Sequence, residues 1–165
     1  MALPREMLSS MPLVRIVSGG QTGADRAALD AALELGFPCG GWCPKGRRAE
    51  DGPIDGRYPL RETSSAEYPV RTERNVRDSD GTLILARRPV RGGTALTERL
   101  ARRHGRPCLV LDPGQADSLG QAVAWVESRG VRVLNVAGPR ESEAPGTHAE
   151  TYRLVRCLIE RTARA

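Results

Sequence analysis

Lysine is nearly missing from this sequence: Lys45 is the only one among 25 basic residues, and every other is arginine. Aromatic residues make up only 4%, too few to build the stacking platforms that hold single-stranded nucleic acids. Nucleic acid is therefore not expected as a partner, the net charge of +5 fits an acidic small molecule at least as well, and the arginine bias reads as codon composition. No apolar run approaches the length of a membrane span. The first residues, Met1 to Met7, lack the apolar core of a signal peptide, so a cytoplasmic protein is expected. The cysteines, Cys39, Cys43, Cys108 and Cys157, form no C-x-x-C pair and have no paired histidine nearby, so no zinc is expected. Cys39, Cys108 and Cys157 fall in apolar segments as small core residues. His104 and His148 stand outside every glycine-rich loop, and no Ser-His-Asp arrangement or metal-demanding carboxylate cluster is visible.

What is present is alternation. Short apolar runs at 13–17, 37–43, 81–86, 107–112 and 131–136 read as strands. Helical spacing over 27–36, 70–80, 94–104, 118–126 and 148–163 separates or follows them. The fourth run, almost wholly apolar, reads as a strand buried on both faces. Residues 1–12 read as a disordered lead-in and 13–165 as a single domain. Strands alternating with helices predict a three-layer α/β/α Rossmann-like sandwich with about five parallel strands. The expected strand order is 2-1-3-4-5, with 3-2-1-4-5 as the alternative.

Three loops leave strand ends carrying glycine beside polar residues. The first is Gly19-Gly20-Gln21-Thr22-Gly23, between the first strand and a helix. Backbone N–H groups there, at the positive end of a helix, favour phosphate, and Thr22 adds a hydroxyl. Gln21 suits either the edge of a base or a bond within its own turn. Asp25, in the first helical turn, reads as a partner of the helix dipole. The second loop runs from Arg91 through Gly92, Gly93 and Thr94 to Thr97. The third is Gly138-Pro139-Arg140-Glu141-Ser142, in which an arginine fork suits the oxygens of phosphate. Arg71 and Asn75 are four apart and share one helix face, fit either for a phosphate or ribose contact or for a surface pair. The segment 44–60 has turn chemistry throughout and reads as a long functional or mobile loop. It carries Lys45, a candidate anion contact, together with Arg47, Arg48 and Arg57. Trp42 reads as core.

Taken together, Gly19–Asp25, Gly40–Arg47, Glu50–Gly52, Arg71-Thr72 with Asn75-Val76, Ser79–Ile84, Gly92–Thr94 and Asn135–Ser142 resemble the putative molybdenum carrier family. The similarity runs from about Val14 to Tyr152. That family is related to the lysine decarboxylase-like phosphoribohydrolases and to nucleotide-sensing proteins of Rossmann-like fold. The resemblance implies binding of a phosphorylated small molecule, with the molybdenum cofactor (molybdopterin) or a nucleotide as candidate ligands. It also implies a homo-oligomer, either dimer or tetramer. The phosphoribohydrolases carry PGGxGTxxE, with glutamate three residues after the threonine. Here Thr97 holds that place, Glu98 is one residue beyond it, and Arg91 stands where the proline would be. One residue turns a helical side chain by about 100°, so a binding or carrier protein is expected ahead of a hydrolase.

Overall fold

The computed structural model describes Pro4 and residues 11–163; the rest of the expected lead-in lies outside the described residues. The first strand, β1 (Arg15–Val17), feeds the glycine turn and α1 (Ala24–Glu34). Ala27, Ala28, Ala31 and Ala32 on α1 are fully buried, and their small side chains let the helix lie close to its neighbours.

The stretch 37–43, expected as one strand, is two. β2 (Cys39–Gly40) pairs with β1, whereas β3 (Trp42–Cys43) leaves the sheet. Gly41 makes the break. Its φ is 124°, and a Cβ there would lie 2.3 Å from the Ser18 carbonyl oxygen, so only glycine fits. The segment 44–60 is more ordered than its turn chemistry predicts. It holds a short antiparallel hairpin, β4 (Arg48–Ala49) and β5 (Gly52–Pro53), and leads to β6 (Arg61–Glu62), which pairs with β3. Arg47 organises it. Its guanidinium donates to the carbonyls of Ile54 (2.9 Å), Asp55 (2.7 Å), Tyr58 (2.9 Å) and Leu60 (3.3 Å). Cys43, Ala49, Ile54 and Tyr58 pack with Leu29 in a small apolar cluster beneath it. Trp42 is only half-buried, and the guanidinium groups of Arg61 and Arg74 lie over its ring at 5.3 and 4.8 Å.

The chain then follows the predicted alternation through α2 (Tyr68–Arg77), β7 (Gly81–Leu85), α3 (Gly92–Arg103), β8 (Cys108–Leu111), α4 (Ser118–Arg129), β9 (Val133–Ala137) and α5 (Thr147–Thr162). The main sheet is parallel with order β2-β1-β9-β7-β8. The α/β Rossmann-like architecture is as expected, and so are the neighbours at each edge. The expected order 2-1-3-4-5 is corrected at one place. The last strand, β9, inserts between β1 and β7, so the five strands in chain order stand 2-1-5-3-4. The physical reason is burial. Leu134, Asn135 and Val136 of β9 are all buried, and a strand covered on both faces needs hydrogen-bonding neighbours on both sides. β8 takes the edge instead, and three of its four residues are only half-buried, which corrects the expectation of a fully buried fourth strand.

Counting strands from β9 rather than from the N-terminus, the same sheet reads 3-2-1-4-5, the doubly wound dinucleotide-binding order. α1 and α4 pack on α5, and α2 packs on α3; right-handed crossovers put these groups on opposite faces of the sheet. The main core, with Ile16, Leu83, Leu134, Val155 and Leu158, lies under α1, α4 and α5. A smaller cluster of Val76, Leu100 and Ala101 lies under α2 and α3.

Candidate functional site

In this order the winding direction reverses between β9 and β7, and crevices for ligands open at such a point beyond the carboxyl ends of the strands. A cavity of about 350 Å³ lies there. The loop after β1, the face of α2, the start of α3 and the loop after β9 each contribute to its wall.

The start of α3 is the most open of these. Thr94 and Ala95 donate their N–H groups back to the Arg91 carbonyl at 3.1 and 3.2 Å. Gly92 and Gly93 have N–H groups with no partner among the described residues, and no side chain caps the helix. A Cβ at either glycine would meet nothing within 4 Å, so both backbones stand free at the cavity wall. Thr94, also on the wall, is 6% exposed.

The start of α1 is closed. The Ala24 N–H donates to the Pro139 carbonyl at 3.2 Å. Gly23 has a φ of 79°, and a Cβ on it would come within 2.4 Å of that same oxygen. The loop after β9 therefore sits on the helix end where the sequence places an anion. Gly138 makes the matching close approach, because a Cβ there would lie 2.5 Å from the Leu85 carbonyl and 2.6 Å from the Ala24 side chain.

Charge gathers in the cavity from four directions. Arg71 on α2 is 8% exposed and donates from Nη1 to the Gly19 carbonyl at 2.8 Å and from Nε to Thr72 Oγ1 at 3.1 Å. Arg99 of α3 and Arg140 of the loop after β9 also line it, with Glu143. Tyr68 presents its ring to the guanidinium groups of Arg71 at 5.3 Å and Arg140 at 5.1 Å. Asp25 is 7% exposed and lies 3.7 Å from Arg71 Nη1. Its one hydrogen bond among the described residues is a long one, accepted from the Gln21 N–H at 3.4 Å. Burial pushes its carboxyl up to about 6, against the opposing pull of Arg71, the Gln21 N–H, Arg26 and Arg140.

Of the residues singled out in the sequence, Gly19, Gln21, Arg71, Asn75, Gly92, Gly93, Thr94, Gly138 and Arg140 come together around the cavity. Asn75 is also a clamp, accepting from the Trp42 N–H at 2.8 Å and donating to the Trp42 carbonyl at 2.9 Å. The others lie elsewhere. Gly20 faces Ile54 and Leu60. Thr22 and Ser142 both donate to the Glu50 carboxylate, and Thr22 Oγ1 also accepts from the Glu141 N–H at 3.2 Å. Glu141 caps α5 by accepting from the N–H groups of Gly146 and His148. Lys45 is exposed, and Thr97 turns back to the Gly93 carbonyl at 2.8 Å. Glu98 pairs with Arg88 at 2.7 Å and is not part of the cavity wall. Sequence reasoning missed Asp25 as a wall residue, together with Tyr68, Arg99, Asn135 and Glu143. Arg99 alone had a legible signal: it follows Gly92 by two helical turns, on the same face.

A second cavity of about 540 Å³ adjoins the first, sharing Gly92, Thr94 and Glu143 with it. Among the described residues, no group of three or more His, Cys, Asp or Glu side chains is placed to hold a metal ion, and no helix is long and apolar enough to cross a membrane.

A parallel sheet with this reversal defines a Rossmann-like fold, and the cavity lies at its switch point. Residues 16–159 match the circularly permutated YpsA SLOG family, and the chain belongs to that family. The permutation agrees with the sheet, whose order becomes the doubly wound one when counting starts at β9. A crystal structure of the putative molybdenum carrier protein from Syntrophus aciditrophicus SB shares 43% sequence identity and superposes with a TM-score of 0.86. The match covers 92% of this chain and 99% of that one, in agreement with the resemblance drawn from the motifs. No protein of curated function matches the chain.

Proposed function

We propose that the cavity binds the phosphorylated end of a small molecule and that the protein acts as a carrier or sensor of that molecule. The observation that carries the reading is the open start of α3 facing a cavity that Arg71, Arg99 and Arg140 line from three different elements. Free N–H groups at a helix start favour an anion, and arginine forks match its oxygens in pairs. The volume of about 350 Å³ suits a small molecule held in a largely preformed site. The name of the similar crystal structure directs attention to a molybdenum-containing cargo. Molybdopterin and nucleotides are both phosphate esters joined to a heterocycle, and both remain candidates. The donors on the wall suit the phosphate and other oxygens of either one. The carrier reading takes the protein to be cytoplasmic and, by its family resemblance, homo-oligomeric.

Native mass spectrometry of freshly purified protein should reveal a retained phosphorus-containing ligand. Calorimetry with inorganic phosphate, molybdate and AMP then tests the site. Arg140→Ala removes a charge-assisted donor and should weaken the ligand that binds by about tenfold to a hundredfold. Unchanged affinity in the Arg99→Ala, Arg140→Ala double variant would refute the site.

A further inference from the structure

The anion site just described leaves one buried charge without a purpose. Asp25 lines the cavity, is more than nine-tenths buried, and holds only the 3.4 Å bond from the Gln21 N–H, made to Oδ2. Its Oδ1 has no partner among the described residues. The Arg71 guanidinium stands off at 3.7 Å, too far for a hydrogen bond, because its Nη1 is committed to the Gly19 carbonyl. A buried carboxylate normally accepts several hydrogen bonds, and one left short of them is costly.

Gln21, 4% exposed and also on the wall, shows the complementary deficit. Its Oε1 accepts from the backbone N–H groups of Thr22 at 3.0 Å and Glu50 at 2.9 Å. Those two donors fix which way the amide faces. They leave Nε2 buried with no partner. An acceptor and a donor, both unspent, thus belong to two neighbouring residues of a cavity wall that Arg71, Arg99 and Arg140 also line. Of the groups that face Asp25, Arg26 on α1, Arg71 on α2 and Arg140 on the loop after β9 attract its negative charge. Arg99 on α3, Tyr68 on α2 and Glu143 complete the charged and titratable lining.

We propose that Asp25 is the specificity-determining acceptor of the site, receiving an N–H or O–H donor from the neutral part of the ligand, with Gln21 Nε2 donating beside it. This rests on the reading of the cavity as an anion site and adds to it. The ligand must carry a donor and acceptor, as a base, a pterin edge or a sugar hydroxyl does, in addition to the group the arginines hold. A bare oxyanion satisfies only the cationic wall.

Proton linkage separates these cases. A donor delivered to Asp25 stabilises its ionised form, so binding near pH 6, where the carboxyl titrates, releases a proton. A bare anion brings only like charge toward Asp25 and so makes that carboxyl take one up. The phosphate group, with a second pKa of about 6, gives up a proton of its own at the cationic wall in every complex, so the share of Asp25 is the difference between wild type and Asp25→Asn. The experiment is calorimetry near pH 6, in two buffers of different ionisation enthalpy, with inorganic phosphate, ribose 5-phosphate, AMP and GMP. Wild type and Asp25→Asn are compared. In the variant the oxygen that accepts from Gln21 is kept, and an NH₂ donor replaces Oδ1.

At least one phosphate ester should bind wild type about tenfold more tightly than inorganic phosphate, with more proton release than Asp25→Asn shows for the same ester. Asp25→Asn should lose that advantage and the part of the proton release that comes from Asp25 while still binding inorganic phosphate. If ribose 5-phosphate shows the advantage, hydroxyls are the donors; if only the nucleotides show it, the base N–H groups are. Should phosphate bind while no ester binds more tightly, or should Asp25→Asn keep the full advantage, the role of Asp25 falls and the anion site stands. Should no compound bind wild type, both readings fall.

Discussion

Asp25→Asn should make the protein more stable, increasingly so as pH rises from 4 to 7. The wild-type carboxyl is 7% exposed, and burial raises it from 3.8 to about 6 despite Arg71. The folded chain therefore binds the Asp25 proton more tightly than the unfolded chain does. Below about pH 4 the group is protonated in both states and its burial carries no ionic penalty. Above about pH 6 it is ionised in both states and the whole penalty is present. Between those limits the folded state holds the extra proton, so this group makes stability fall as pH rises. Raising the carboxyl from 3.8 to about 6 corresponds to about 3 kcal/mol at neutral pH, or roughly 6–12 °C in melting temperature for a chain of this size. Other carboxylates act in the opposite sense. The guanidinium groups of Arg26, Arg77 and Arg88 hold Asp51, Asp78 and Glu98 below their ordinary values, and both proteins lose stability in acid on their account. The diagnostic quantity is thus the difference between variant and wild type. Urea denaturation of both at intervals from pH 4 to 8 measures it. A difference that stays flat across that range, or that turns against the variant at high pH, would refute the assignment of a strained buried charge to Asp25.

Three other outcomes test the architecture. Gly93→Val places its side chain in open space at the cavity wall, so it should leave the melting temperature within about 3 °C while lowering affinity for the retained ligand at least tenfold by calorimetry. Asn75→Ala leaves the Trp42 N–H and carbonyl without the bonds at 2.8 and 2.9 Å and should cost about 2 kcal/mol in urea denaturation. Arg47→Ala removes the donor shared by four carbonyls of residues 54–60. Its signature should be local, with faster hydrogen exchange and proteolytic cleavage over 48–60 and little change in exchange across β7 and β9.

The repeated change between apolar runs and helical spacing determined the α/β class, because that pattern is local and a covered parallel sheet is its simplest packing. The sequence also marked the glycines that open α3 and the helix face shared by Arg71 and Asn75, since helical spacing alone fixes which side chains rise together. It did not determine where β9 goes. Right-handed crossovers permit several orders, and the insertion between β1 and β7 follows from the burial of Leu134 and Val136 against helices distant in sequence. Nor did it distinguish the two helix starts. Both follow a strand and open on glycines, yet Gly23 packs against the carbonyl of Pro139 while Gly92 and Gly93 face open space. Asp25 shows the limit most plainly. In the sequence it is a carboxylate in a first helical turn, at home beside a dipole. Only the approach of α2 and the loop after β9 buries it and places Arg71 close by. A site whose members lie on four separate segments is created by long-range packing, and neighbouring residues carry no record of that packing.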